Sequence, residues 1–472
     1  MWWLIPCVLG VAQGDEPASE EASADTADVE IVESGFFAGS YGQANLGYDL
    51  QGGRGDALSV ARRTTRHELG PYLELDLGWK WRTAQDAKFK AVITPALTGD
   101  VFHYSGEWNA QLAIRNLYVE AEDFIPNVPL TVWAGARMYR GDDVYLLDFW
   151  PMDNLNTYGG GLMVRPGAGE IALHVGANRL TGQDFQLQLQ TVQVPDQVDG
   201  VEVVVLDRQR VVSSLRGLYH FDVGGLTLRT KLYGELHHLP EGVRQLQQGV
   251  GDPINQELPE DWGSLVGAQL SLWGWAEQSF VHLWARRASG LAAYGELAIP
   301  QGGLALDFSA AAAESWMVAA MANHETPRVG VMGAIVAEWY HDADGIDLDF
   351  DDRFEFIGVV RPQVYIGRHL ALGVEVSHQH VRPNGANPRT GRVDVADLTK
   401  VALLPAVQLR RGGYSRPRIQ FVYQASVLDN AAMAYFAPQD QRVQGRVNHF
   451  MGIGAEWWVN SQRIITPTTI LR

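Results

Sequence analysis

Apolar and polar residues alternate along most of this chain. From Leu73 to Trp81 every second residue is leucine or tryptophan, and the positions between them hold acids, glycine and lysine. Leu226 to His237 repeats the pattern, with leucines opposite charged and polar residues. A period of two predicts β-strands whose two faces meet different surroundings. Further two-faced stretches occur at Leu130 to Tyr139, Phe280 to Arg286, Leu370 to Ser377, Arg416 to Gln424 and Met451 to Val459.

The apolar face of such strands can point inward, as in a soluble sandwich, or outward into lipid. Three features favour the outward arrangement. The apolar faces end in aromatics such as Trp79, Trp81 and Trp457, the polar faces carry both signs of charge together with aromatic rings, and the pattern continues over roughly 400 residues without a domain break. We therefore expect an all-β fold, a closed transmembrane antiparallel β-barrel, because an open sheet edge in hydrocarbon would leave backbone groups unpaired.

The length of the chain limits the number of strands. At roughly 24 residues per strand and connection, the part after Ser34 gives about 18 strands, and 16 fit nearly as well. Ile366 to His369 is short enough to be a periplasmic turn. Four longer segments are predicted as external loops: Gln183 to Arg210, Pro240 to Trp262, Asp342 to Arg353 and Arg382 to Leu398.

The first 34 residues differ from the rest. The apolar run from Trp2 to Val11 is followed by small residues, which predicts a signal peptide over residues 1–14 and export. Residues 15–34 hold eight acids and no base, so we interpret them as a disordered acidic linker. The barrel is predicted over 35–459, and residues 460–472 form a C-terminal tail without an assigned role.

Composition excludes several function classes. With 37 Lys and Arg against 55 Asp and Glu, the net charge of −18 argues against a nucleic-acid partner. The single cysteine, Cys7, lies in the predicted signal peptide, so thiolate metal sites and cysteine nucleophiles are not expected. The acid-rich run Asp342 to Asp352 lacks the glycine position of an EF-hand loop and is interpreted as a solvated loop. We predict neither a cofactor nor a metal.

One segment carries a family resemblance. Leu130 to Asp153 reads LTVWAGARMYRGDDVYLLDFWPMD, which resembles the maltoporin family, the trimeric sugar-specific porins of the Gram-negative outer membrane. ELGPYLELDLG at 68–78, YSRPRIQFVY at 414–423 and GAEWW at 454–458 extend the match. The resemblance implies an 18-stranded homotrimeric barrel in outer-membrane lipid, with an inward-folded third loop and facilitated diffusion of maltose, maltodextrins or related oligosaccharides.

The resemblance also implies a binding lane. A pyranose ring has C–H faces that pack on aromatic planes and hydroxyls that need donors and acceptors, so aromatics flanked by charged groups suit it. Several weak sites in series let a solute enter and still leave. By resemblance, the aromatic slide consists of Tyr41, Tyr72, Trp108, Trp150, Phe280, Tyr414 and Trp458, and the polar lane at the constriction consists of Glu74, Arg115, Asp143 and Asp148.

Some positions depart from the family pattern. Trp150 stands where the family has tyrosine, and the family arginine before the DV motif falls on Gly141, with Arg140 one position away. Arg66 is the candidate replacement for a second family arginine, which precedes LG. Strict alternation would place Arg115 on the apolar face of its strand, and a β-bulge there would return it to the polar face.

Other functions remain open from the sequence. The alternative nearest to a maltodextrin channel is a general porin or a porin for another carbohydrate. A secreted β-rich glycoside hydrolase would use paired carboxylates such as Asp143 and Asp148, and an adhesion or phage-receptor barrel would have a plugged lumen. Arg115, Asp143 and Asp148 could also form a salt-bridge network that holds loop three in place.

Overall fold

A computed structural model describes residues 31–53, 55, 57–68, 70–100, 109–179, 187–192, 201–246, 254–295, 303–346 and 348–460. The predicted signal peptide, most of the acidic linker, Trp108 and the tail after Asn460 lie outside these residues. No helix within the described ranges is long and apolar enough to cross a bilayer.

Twenty-two strands account for most of the described residues. Eighteen form one sheet, and the other four form two ribbons within the connections. The barrel strands are β1 (Ile31–Asp49), β2 (Tyr72–Thr83), β3 (Lys88–Asp100), β4 (Asn109–Glu122), β5 (Leu130–Arg140), β6 (Asn154–Val164), β7 (Gly169–Arg179), β10 (Gln209–Val223), β11 (Leu226–Leu239), β14 (Asp261–Trp273), β15 (Phe280–Gly290), β16 (Glu314–Glu325), β17 (Val329–His341), β18 (Arg353–Ile366), β19 (Leu370–Pro383), β20 (Ala396–Gln408), β21 (Arg418–Leu428) and β22 (Val447–Asn460), and the ribbons pair β8 (Leu187–Val192) with β9 (Val201–Asp207) and β12 (Gly242–Leu246) with β13 (Ile254–Leu258).

The described helices are all short. One α-helical turn, α1, spans Asn430–Met433, and four 3₁₀ turns lie in the connections, at Arg66–Glu68, Tyr145–Leu147, Leu291–Tyr294 and Gln441–Val443.

The barrel closes through its first and last strands. β1 pairs antiparallel with both β2 and β22, so that Tyr41 lies opposite Glu74 on one side and Trp458 on the other. Each remaining barrel strand pairs antiparallel with its neighbours in chain order. The 18-stranded antiparallel barrel is thus confirmed. β1 begins at Ile31, four residues before the predicted start at residue 35.

β11 shows that the apolar face points outward. Leu232 and Leu236 are 69% and 59% exposed on the outer surface of the chain, whereas the adjacent residues Lys231 and His237 are 4% and 1% exposed. A soluble barrel would have the opposite distribution. The exposed leucines therefore belong to the belt that contacts acyl chains, and the charged face surrounds the lumen.

Successive strands alternate in direction, so successive connections lie on opposite rims of the barrel. The shortest connections all fall on one rim and the longest ones on the other. Outer-membrane barrels carry short turns on the periplasmic rim and longer loops outside. Ile366 and Leu370 are joined by only three residues, in agreement with the predicted turn. The short connections are 84–87, 123–129, 165–168, 224–225, 274–279, 326–328, 367–369 and 409–417, and the four predicted external loops all fall on the other rim.

Loop 3, residues 141–153, folds into the barrel as the resemblance implied. Leu146 and Leu147 are 0% and 4% exposed and belong to an apolar cluster that includes Met321 and Met332 of β16 and β17. The alternation had predicted a lumen that is polar all round, and the structure differs from this prediction. One side of the lumen is an apolar core beneath loop 3, and the open space lies on the other side.

Loop 1, residues 50–71, also enters the lumen, which the sequence did not indicate. The Gln379 side-chain oxygen of β19 accepts hydrogen bonds from the backbone N–H groups of Val60 and Ala61 at 2.9 and 3.1 Å. Arg63 pairs with Glu338 of β17 at 2.6 Å. A buried amide and a buried carboxylate on the lumen faces thus anchor loop 1 inside the barrel.

Gly135 of β5 has a strict requirement for glycine. Its φ of 128° is rarely adopted by other residues, and a Cβ atom would overlap the Leu117 carbonyl oxygen of β4. We expect Gly135→Ala to lower the thermal unfolding temperature of the folded barrel. Gly217→Ala is the matched control, because a Cβ atom there meets no atom within 4 Å. Equal unfolding temperatures for the two variants would contradict this expectation.

Candidate functional site

Five of the predicted slide residues form one line. Ring centroids are separated by 5.8 Å between Tyr72 and Tyr41, 6.5 Å between Tyr41 and Trp458, 6.3 Å between Trp458 and Tyr414, and 5.8 Å between Tyr414 and Phe280. These spacings are those of contacting aromatic side chains. β2, β1, β22, the connection 409–417 and β15 each supply one ring. We call this line the aromatic lane.

Exposure changes along the lane. Tyr72, Tyr41 and Trp458 are half-buried, whereas Phe280 and Tyr414 are 5% and 8% exposed and belong to the apolar cluster under loop 3. A solute can therefore pack on the first three rings without a rearrangement, and the last two lie behind loop 3.

Tyr145 of loop 3 joins the lane, which the sequence analysis missed. Its ring centroid lies 4.9 Å from Tyr414 and 6.0 Å from Trp458, and its hydroxyl accepts from Arg416 and contacts Glu456 at 3.2 Å. The side chain projects from the short 3₁₀ turn of loop 3. The only signal in the sequence was its position directly after the DV motif.

Trp150 lies beside the lane. The guanidinium carbon of Arg140 is 3.8 Å from the centroid of the Trp150 ring, and the same arginine donates to Asn154 at 2.9 Å. This contact is a cation–π interaction that fixes the plane of the indole. Trp108, the remaining predicted slide residue, lies outside the described residues.

The polar lane begins at Arg115. Its guanidinium pairs with Glu74 at 2.6 Å, and the Tyr72 hydroxyl bonds to both groups. Thr94 pairs with Asn116 but the next residue, Pro95, pairs with Ile114, so the expected β-bulge at Arg115 is confirmed. The bulge turns this side chain to the lumen face.

Arg66 connects the polar and aromatic groups. It donates to the Tyr41 hydroxyl at 2.5 Å and lies 3.5 Å from Glu456 and 3.9 Å from Asp148. Both candidate replacements for the two family arginines, Arg66 and Arg140, reach this part of the lumen. Loop 1 brings Arg66 there, which explains why no position within a strand indicated it.

These side chains enclose one cavity of about 550 Å³. It is lined by Tyr41, Arg66, Tyr72, Glu74, Arg115, Arg140, Asp143, Tyr145, Asp148, Trp150 and Trp458, among others. All four predicted polar-lane residues therefore face the same space as the exposed half of the aromatic lane. Such a cavity offers flat apolar surfaces next to paired donors and acceptors, the combination that a pyranose ring requires.

Loop 3 is held by carboxylates other than the predicted ones. Asp142 contacts Lys231 at 3.2 Å, Gln269 at 2.8 Å and also Arg229, while Asp153 bonds to Lys231 at 3.1 Å and lies 3.3 Å from Arg216. Asp143 and Asp148 do not take part in these contacts. The described geometry therefore separates a structural network from the carboxylates that line the cavity.

Asp143 has an altered pKa. Burial raises the pKa of Asp143 to about 7, Arg66 opposes this increase, and the negative charges of Asp148 and Asp142 add to it. Since the usual value is about 3.9, the folded protein keeps this carboxyl protonated between the two values, and it ionises only as the pH rises through 7. Ionisation then adds one negative charge to the cavity.

We therefore expect the preference of the open channel for K⁺ over Cl⁻ to increase between pH 5.5 and pH 8.5. A group with a pKa of about 7 is about 10% ionised one unit below it and about 90% ionised one unit above it. Reversal potentials in a KCl gradient measure the change. Asp143→Asn should abolish it and Asp148→Asn should retain it. An unchanged pH response in Asp143→Asn would show that another group titrates.

The acid-rich run in the connection after β17 uses its carboxylates locally. Asp342 accepts from the backbone N–H of Asp344, Asp344 from that of Ile346, and Asp349 from that of Asp351. Asx turns of this kind fix the backbone of a loop. The carboxylates of the run therefore stabilise the conformation of their own connection.

A closed barrel with an apolar outer belt, an inward-folded loop and a charged lumen defines a porin of the outer membrane. Comparison with known families agrees, since the family described as LamB porin matches residues 52–458. The chain belongs to the LamB porin family. It is accordingly a channel protein and not an enzyme, which sets aside the hydrolase alternative.

The individual relatives share either a short segment or a low sequence identity with this chain. Over 78 residues the chain is 36% identical to the maltoporin of Photobacterium profundum, an alignment that covers 16% of this chain and 19% of that protein. Among solved structures, Acinetobacter baumannii OccAB1 is 12% identical with a TM-score of 0.47, covering 93% of this chain and 100% of that one. The outer membrane protein OprD from Pseudomonas aeruginosa is 10% identical with a TM-score of 0.42, covering 93% and 96%.

Proposed function

We propose that this porin gives facilitated diffusion to maltose, maltodextrins or related oligosaccharides. The observation that carries the proposal is the aromatic lane, whose half-buried rings Tyr72, Tyr41 and Trp458 share one cavity with Glu74 and Arg115. Membership of the LamB porin family and the partial match to a maltoporin support a sugar as the solute. A lane of contacting rings lets a sugar move by small steps, since each new ring contact replaces an old one.

Purified protein in a planar bilayer tests this function. Maltohexaose should block the ion current reversibly and in a saturable way at millimolar concentration. A general porin would pass ions with no such block. An adhesion or phage-receptor barrel with a plugged lumen would show negligible conductance.

We further propose that the chain assembles as a homotrimer through the outer faces of β1 to β6. A groove of about 770 Å³ crosses these strands, lined by the outward-facing Trp79 and Tyr158 and by the small residues Ala91 and Ala134, which pair with the exposed Trp79 and Val119. Small residues let a neighbouring surface approach the backbone closely, which favours protein contact over lipid. A complex of three times the chain mass that resists SDS and dissociates on heating would support this assembly, and migration as a monomer before heating would contradict it.

A further inference from the structure

A second chamber adjoins the aromatic lane. It shares Gln43, Arg66 and Tyr145 with the cavity described above, so these three side chains border both spaces. Beyond them, the chamber is lined by Arg361 of β18, Arg416 of the connection 409–417 and Arg418 of β21. Three arginines therefore converge where the lane continues past Trp458.

Positive charge exceeds negative charge around this chamber. Arg361 pairs with Glu375 at 2.6 Å, and Arg416 pairs with Glu456 at 2.7 Å. Arg66 lies 3.5 Å from the same Glu456. Together with Asp148, which lies 3.9 Å from Arg66, three carboxylates are thus shared among three of the four guanidinium groups.

Arg418 is the fourth, and it has no acceptor among the described residues. Its side chain is 3% exposed, and all three of its nitrogen atoms are buried without a hydrogen-bond partner in the described part of the chain. Glu456 lies opposite Arg418 in the β21–β22 register, but its carboxylate contacts Arg416, Arg66 and Tyr145 instead. The guanidinium donors of Arg418 are therefore left unused by the described part of the chain.

A buried guanidinium without an acceptor is unfavourable, and neighbouring cations increase the effect. The guanidinium group presents a planar fork of donors that fits a carboxylate through two parallel hydrogen bonds. An oxyanion in this chamber would be the acceptor that the described residues do not supply to Arg418, and the chamber lies at the end of a lane suited to sugar rings.

We propose that Arg418 forms a binding subsite for the carboxylate of an acidic saccharide. The sugar ring packs on Tyr41 and Trp458, and its acid group reaches the chamber past Arg66. The proposal rests on the proposed sugar-channel function and narrows it, because it gives this porin a preference for saccharides that carry an acid group over neutral ones of the same size.

A matched pair of disaccharides tests the proposal. Maltobionate carries a carboxylate at the position where maltitol carries a hydroxyl-bearing carbon, and the two otherwise share one skeleton. In 0.1 M KCl we expect maltobionate to block the wild-type current with a dissociation constant about tenfold lower than that of maltitol, as expected for one added charge-assisted hydrogen-bonded pair. The difference should shrink in 1 M KCl, because salt screens the charge and chloride competes.

Two variants test whether Arg418 causes the preference for maltobionate. Arg418→Gln removes the charge and should abolish the preference for maltobionate, whereas Arg418→Lys retains a cation and should keep part of it. Heat-modifiable migration on a gel verifies that both variants fold. If Arg418→Gln does not fold, the comparison between Arg418→Lys and wild type still decides, because the bidentate contact is lost while the charge is kept.

The outcomes separate the two proposals. Equal block of the wild type by maltobionate and maltitol, together with block by maltohexaose, overturns the acidic subsite and leaves the sugar channel standing. No block by any of the three sugars overturns both. A change of anion selectivity in Arg418→Gln without a preference of the wild type for maltobionate means that the site holds a small anion only, which also overturns the proposal.

Discussion

Replacing Trp458 by alanine is expected to weaken the block of the ion current by maltohexaose about 30-fold, since truncating a central aromatic anchor typically costs about 2 kcal/mol. Trp458 stands at the middle of the lane, with ring centroids 6.5 Å from Tyr41, 6.0 Å from Tyr145 and 6.3 Å from Tyr414. Removing it opens a gap between the exposed rings and the buried ones. The dissociation constant from current fluctuations or block curves measures the change.

Trp457 provides the control. It is the same residue type one position earlier on β22, and its indole donates to the Ser40 hydroxyl at 3.0 Å instead of joining the lane. Trp457→Ala should leave the dissociation constant within about twofold of wild type, the change expected away from binding contacts. If both variants weaken the block equally, a general disturbance of β22 is responsible and the lane does not carry the binding.

Replacing Asp142 by asparagine is expected to loosen loop 3 and to destabilise the barrel. The carboxylate contacts Arg229, Lys231 and Gln269, and although burial alone would raise its pKa, Lys231 and Arg229 hold the pKa of Asp142 well below the usual range. Breaking a buried ion pair by removing one partner typically costs about 3–5 kcal/mol. We expect a lower unfolding temperature and a larger single-channel conductance, because loop 3 narrows the lumen.

Asp148→Asn is the control from the same loop. Its side chain is 44% exposed, and its ion-pair partner, Arg66, is 3.9 Å away. Such an exposed pair contributes little, so stability and conductance should stay close to wild type. If Asp142→Asn lowers stability but leaves the conductance unchanged, the apolar packing of Leu146 and Leu147 holds the loop by itself and the ion pairs do not set the bore.

Asp142 and Asp143 are neighbours in the sequence, but the tertiary structure gives them different electrostatic environments. Both are aspartates in the same DDV motif, yet Asp142 faces two cations of β11 and stays ionised, while burial raises the pKa of Asp143 to about 7. No property of the sequence distinguishes them. The difference comes from which wall of the barrel each side chain faces once loop 3 has folded inward.

The faces of the strands could be predicted residue by residue. A period of two assigned Tyr72 and Glu74 to the polar face, and the family resemblance added Phe280; the structure places all three on the lumen side. At Arg115 the same rule placed a charged side chain on the apolar face. A β-bulge was offered as the way to resolve this conflict, and the structure has one. Strands are predictable in this way because backbone pairing fixes the direction of every side chain once the buried face is known.

Residues in loops could not be assigned in this way. Arg66 and Tyr145, which complete the candidate site, lie in loops 1 and 3, where no period relates one side chain to the next. The apolar lumen face around Met321 and Met332 was also missed, because alternation identifies two faces and does not tell whether a loop will cover one of them.

The sequence by itself therefore determined the closed barrel, its lipid face, the number of strands within two, and the residue types along the lane. The tertiary structure alone decided which half of the lumen is filled, which carboxylates hold loop 3, and that Arg418 is buried without a described acceptor. The physical reason is that strand geometry is local and repetitive, whereas the position of an inward loop follows from charges and apolar groups far apart in the chain.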